Sequence, residues 1–94
     1  MATHEKLRAW QLCHKLALTV YRTTNRWPIS ARYELTSQAR RAAHSAAANI
    51  AEGWARRGSR ELCRYLNISL GSLAELDYTF RLAFELRMLD EAEW

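Results

Sequence analysis

Arginine is the residue with most chemistry to offer in this chain. Arg56, Arg57, Arg60 and Arg64 fall within nine residues, with Arg40 further back. A guanidinium pairs with phosphate through a planar fork of N–H donors. Arg57, Arg60 and Arg64 are three and four apart, so a helix would project all three from one face. The neighbouring Trp54 offers a flat surface on which an unpaired base could stack. The reading we favour for Trp54 is instead a packing anchor at a subunit interface, and the arginines themselves could be no more than a solvated face. No motif reads a base sequence, so any nucleic-acid binding would be to the backbone and strongly salt-dependent.

A second set is Gln38, Arg41, Ser45, Asn49 and Glu52, which recur at helical spacing as a polar stripe. One reading makes it a site, with Glu52 as a base and Arg41 holding an anion. The other, which we favour, makes it a structural seam between helices or subunits, with Arg41 paired to an acid. No nucleophile has an activating partner at close spacing, and no glycine loop could cradle a phosphate, so an enzyme is not expected. His4, His14 and His44 with Cys13 and Cys63 lack the spacing of zinc motifs. The two cysteines read better as small core residues, and neither a metal nor another cofactor is expected.

These side chains must be positioned by helices. The central one spans Gln38 to Gly53, with Ala39, Ala42, Ala43, Ala46, Ala47 and Ile50 forming a small apolar face. Alanine favours the helix and lets a neighbour come close. Thr36 or Ser37 could cap it, with Tyr33 and Leu35 packed in a preceding turn, and Gly53 is its natural stop. An earlier helix is predicted from about Leu7 to Trp27, ended by Pro28. Its apolar line is Trp10, Cys13, Ala17, Val20, Thr24 and Trp27, widened by Leu12 and Leu16. A later helix is predicted from about Arg60 to Leu89, capped by Ser59. Leu62, Leu66, Leu73, Leu76, Phe80 and Ala83 form its main stripe. Gly71 and Ser72 interrupt it, which a close helix contact or a bend would justify. Asp90-Glu91-Ala92-Glu93 resembles the start of a fourth helix.

The 94 residues suit one all-α domain of packed helices over 1–94. Charge is uneven along it. Residues 1–64 carry twelve Lys/Arg against four Glu, a net of +8, and residues 65–94 carry two Arg against six Asp/Glu, a net of −4. A basic front favours a nucleic-acid partner, although ordinary scatter of a solvated surface would look similar. The N-terminus has no leader-like apolar core, and the uncharged run Ala42–Ala51 is far short of the roughly 20 residues that cross a membrane. Two cysteines in different helices fit reduced thiols in the cytoplasm.

Across nearly its whole length the sequence resembles a known family. The matching residues are Trp10-Gln11, Tyr21, Thr24, Trp27-Pro28, Leu35, Gln38, Arg41-Ala42, Ser45, Asn49-Ile50-Ala51-Glu52-Gly53, Gly71-Ser72 and Glu75. They resemble the four-helix bundle proteins of the ribosomal-RNA intervening-sequence family, which is related to the accessory proteins of diversity-generating retroelements. Ala31 and Glu34 depart from the family pattern, and its fourth helix is missing after Trp94. The resemblance implies an antiparallel up-and-down four-helix bundle assembled as a homopentamer. In the retroelement members it also implies a basic surface that works with RNA and a reverse transcriptase. The expectation is therefore a non-catalytic, homo-oligomeric accessory protein that binds RNA or DNA through Arg40, Arg56, Arg57, Arg60 and Arg64. The alternative is a protein-interaction scaffold that binds no nucleic acid.

Overall fold

The computed structural model describes residues 3–89. Three helices carry the fold: α1 (Arg8–Thr24), α2 (Ser37–Ala55) and α3 (Ser59–Glu85), and no strand occurs among the described residues. α2 packs against both of the others, whereas α1 makes its main contact with α2 rather than with α3. Gly53 meets Leu62 and Tyr65 near the loop, while Ser45 meets Ser72 further along, so α2 and α3 run antiparallel. Arg40 bonds Thr24 while Ala46 and Ile50 cluster with Cys13, so α1 and α2 are antiparallel too. The all-α expectation holds. The helix start expected at Asp90 lies outside the described residues.

The alanine face is the middle of the core. Ala39, Ala42, Ala43 and Ala46 are buried, and α1 and α3 supply the larger side chains, Val20, Leu76 and Phe80. α1 stops at Thr24, a turn earlier than Pro28 requires. Arg26 and Trp27 donate their N–H groups to Thr23 and Thr24 in a tightened turn. That turn swings Trp27 inward, where its ring lies 5.3 Å from Phe80. Leu12 and Leu16, expected to widen the buried face, are exposed, Leu16 at the edge of a groove against Leu73 and Leu76 of α3.

Neither Thr36 nor Ser37 caps α2 with its side chain. The chain arrives already helical, through a wide turn at Arg32–Thr36, and the Ser37 N–H bonds Glu34 O instead. Leu35 packs on the core, but Tyr33 is 89% exposed. At its other end α2 does not stop at Gly53 but runs on to Ala55. The reversal falls on Arg57, with φ 57°, a left-handed conformation without glycine. Gly58 then starts α3 in extended conformation, and Ser59 is the first helical residue rather than its cap.

α3 ends at Glu85, not Leu89. The Arg87 N–H bonds Phe84 O and the Met88 N–H bonds Ala83 O, both at 2.9 Å, around an Arg87 φ of 62°. This closing motif satisfies the last carbonyls and folds Met88 and Leu89 back onto the core. It also holds a non-glycine residue in the left-handed region. Arg87→Gly should therefore stabilise the protein by about 1 kcal/mol. Urea denaturation measures this, and a lower midpoint would mean that the Arg87 side chain contributes more than its backbone strain costs.

Candidate nucleic-acid interface

The short reversal between α2 and α3 brings four cations to one corner. Arg56, Arg57, Arg60 and Arg64 are all exposed. Arg60 and Arg64 are one turn apart on α3 and share a face. Arg57 does not join that face, as its spacing suggested, because it forms the loop. The ring of Tyr65 gathers two of the others. The Arg64 guanidinium lies 4.5 Å from its centroid and that of Arg56 5.7 Å. Sequence reasoning missed Tyr65 as part of this cluster, because its contact with Arg56 exists only once the loop closes.

Two carboxylates temper the corner. Arg56 pairs with Glu52 and Arg64 with Glu61, each at 3.3 Å. Glu61 raises the Arg64 pKa further above its already high ordinary value. Both are solvent-exposed pairs between neighbours one turn apart in sequence, a kind that adds little to stability. Four arginines against two glutamates leave the corner at +2. Beside it lies an open recess lined by Trp54, Arg57, Ser59 and Leu62. Trp54 is partly exposed, and it lines this recess together with Arg57.

Arg40 is not behind this corner. It sits sixteen residues before Arg56 on the same helix, about 24 Å away. Its Nε donates to Thr24 Oγ1 at 2.8 Å and its Nη2 to Asn25 Oδ1 at 2.9 Å, with the Tyr21 ring beneath at 4.8 Å. It ties the start of α2 to the end of α1.

The polar stripe divides as well. Ser45 and Asn49 form a seam: Asn49 Nδ2 donates to Ser45 Oγ at 2.9 Å, and Ser72 of α3 donates to the same oxygen at 2.9 Å. Ser69 adds a buried bond to Ala46 O at 2.8 Å. Sequence reasoning missed Ser69 and noted Ser72 only as an interruption; their spacing of three was the available signal. Gln38 and Arg41 are exposed and outside this seam, and Glu52 turns to Arg56. Arg41 and Glu52 are eleven residues apart along one helix, about 16 Å, so they do not form one site.

Among the described residues, no group of His, Cys, Asp and Glu could hold a metal. His4 and His14 instead flank Trp10, at 5.0 and 4.8 Å between ring centroids. Cys13 is a core residue, and burial pushes its thiol pKa up. Cys63, expected in the core too, is exposed.

The family model for the 23S rRNA-intervening sequence protein matches residues 5–94. The chain belongs to this family. A comparison with curated proteins gives no match. Membership in the 23S rRNA-intervening sequence family agrees with the motif running from Gln38 to Gly53. It fixes kinship without assigning a chemistry to any residue. In this family member no helix among the described residues is long and apolar enough to cross a membrane.

Proposed function

We propose that this protein is a non-catalytic nucleic-acid-binding accessory factor that works as a homo-oligomer. The observation that carries the reading is the joint exposure of Arg56, Arg57, Arg60 and Arg64 at the α2–α3 corner, where the carboxylates paired with Arg56 and Arg64 are themselves exposed. Phosphates can displace such carboxylates, and the planar forks suit phosphate oxygens. The family description names an intervening sequence of 23S rRNA, which makes RNA the first ligand to test. Repetition of the corner around an oligomer would add avidity. Exposed Leu12, Leu70 and Tyr78 supply apolar surface for association, and a pentamer is the assembly we expect. The two free cysteines support a reducing, cytoplasmic setting.

The test is RNA and single-stranded DNA binding across a salt series, with oligomer mass measured in parallel. Changing Arg57, Arg60 and Arg64 together to Gln should leave folding and mass unchanged. It should make the log–log salt slope shallower by about 2, at roughly 0.7 per lost single-strand phosphate contact. No binding by the unaltered protein at low salt would instead favour a protein-interaction scaffold. The exposed apolar faces of α1 and α3 support that second reading. Loss of the oligomer in the triple variant would move these arginines into a subunit interface.

A further inference from the structure

At the opposite end of α2 is a cleft of about 500 Å³, within the range of small-molecule sites. It lies between the end of α1 and the start of α2, about 24 Å from the arginine corner by the length of the helix. Tyr21, Trp27 and Ile29 provide its apolar wall. Ser37, Arg41 and His44, spaced four and three apart on α2, provide its polar one.

Three of the polar groups in this cleft have no partner among the described residues. Arg41, His44 and Ser37 make no side-chain hydrogen bond or ion pair with any other described residue, and no described Asp or Glu lines the cleft. Arg40 reaches the same cleft, already oriented by Thr24 and Asn25, with its Nη1 unused among the described residues. A further donor is orphaned in the wall. Trp27 is 5% exposed, and its Nε1–H is buried without an acceptor. Buried donors are ordinarily partnered by protein, water or ligand.

We propose that this cleft binds a phosphomonoester carried on a nucleoside-sized body. Two guanidiniums, an imidazole and a hydroxyl with no opposing carboxylate suit a ligand rich in acceptor oxygens. A terminal phosphate has three, and Arg41 can take two of them through its fork. The Tyr21–Ile29 side accepts a flat apolar body. Two sources carry this group, a free 5′-mononucleotide and the 5′-phosphorylated end of a strand. The site goes beyond backbone binding at the α2–α3 corner and does not rest on it.

The experiment titrates the full chain with 5′-AMP and with adenosine, following the Trp27 indole N–H resonance by ¹H–¹⁵N NMR and the heat by calorimetry. The nucleotide should move that resonance and saturate below about 1 mM, while adenosine at the same concentration should not. Arg41→Gln, with helicity checked by circular dichroism, should weaken binding about tenfold or more, and Lys15→Gln, at an exposed cation of α1 outside both basic sites, should leave it unchanged. His44→Gln serves as a second variant should Arg41→Gln misfold. Equal binding of adenosine and 5′-AMP, no saturation by 5′-AMP, or indifference to the folded cleft variant overturns the proposal. The source is then resolved on the Arg57/Arg60/Arg64→Gln background. An RNA oligomer that binds tenfold better with a 5′-phosphate than with a 5′-hydroxyl assigns the cleft to strand ends. Equal oligomer binding alongside 5′-AMP binding assigns it to the free nucleotide.

Discussion

Ala46→Leu should destabilise the protein by about 3 kcal/mol and lower its thermal midpoint by roughly 15 °C. Ala46 has no exposed surface and lies in a cluster with Cys13 of α1 and Leu66 and Leu73 of α3. Its carbonyl also accepts the Ser69 hydroxyl at 2.8 Å, which pins α3 against α2 at that level. Three added carbons have no free direction there, so one neighbouring helix must move. A domain of this size has only about 5–14 kcal/mol in total, so the loss is a large fraction of it. Ala48, exposed on the same helix, is the control, and Ala48→Leu should stay within about 0.5 kcal/mol. Urea denaturation of both variants decides it. Equal midpoints would mean that the α2–α3 spacing yields, and that the alanine face is not set by close packing.

The alanine face was legible because it depends only on local period: Ala39, Ala42, Ala43, Ala46 and Ile50 are all buried as their spacing requires. Helix ends were not. Trp27, Ser59 and Leu89 were placed by residue type, but each end is decided by which carbonyl the next N–H finds. The Arg87 turn needs no glycine, so nothing in residue type marks it. Amphipathic width was also misleading. Leu12 and Leu16 belong to the apolar side of α1, yet periodicity states how broad a face is and not which neighbour covers it.

The arginine cluster was legible as composition and only partly as geometry. Arg56, Arg57, Arg60 and Arg64 share a corner because α2 and α3 are joined by a tight reversal. Arg40 seemed a natural addition in a basic stretch, but sixteen residues of helix carry it to the other end of the molecule. There it ties α1 to α2 and lines the same cleft as Arg41 and His44. One helix thus presents basic groups at both ends for different reasons. At one end they crowd a loop, and at the other they face a recess with no acid to oppose them.

Glycine shows most plainly why residue type needs a neighbour before it has a meaning, and it gives the second large effect. Gly53→Ala should cost about 1–2 kcal/mol, although alanine is the better helix former by about 1 kcal/mol. A β-carbon at Gly53 would sit 2.7 Å from Tyr65 Cβ and 3.3 Å from Leu62 Cδ1. Tyr65 Cβ is fixed to the backbone of α3, so no side-chain rotation relieves the clash and the helices must part. Gly71→Ala is the same substitution in α3, where the new carbon meets nothing within 4 Å. It should stabilise by about 1 kcal/mol. Opposite signs for one chemical change separate packing from propensity. The Gly53 variant should also weaken nucleic-acid binding, because shifting Tyr65 moves the ring over which Arg56 and Arg64 lie. Urea midpoints for both variants, with RNA affinity at one low salt concentration, test the pair. A stabilised Gly53→Ala protein would show that the α2–α3 contact relaxes freely. A destabilised one with unchanged RNA affinity would uncouple the Tyr65 clamp from the binding surface.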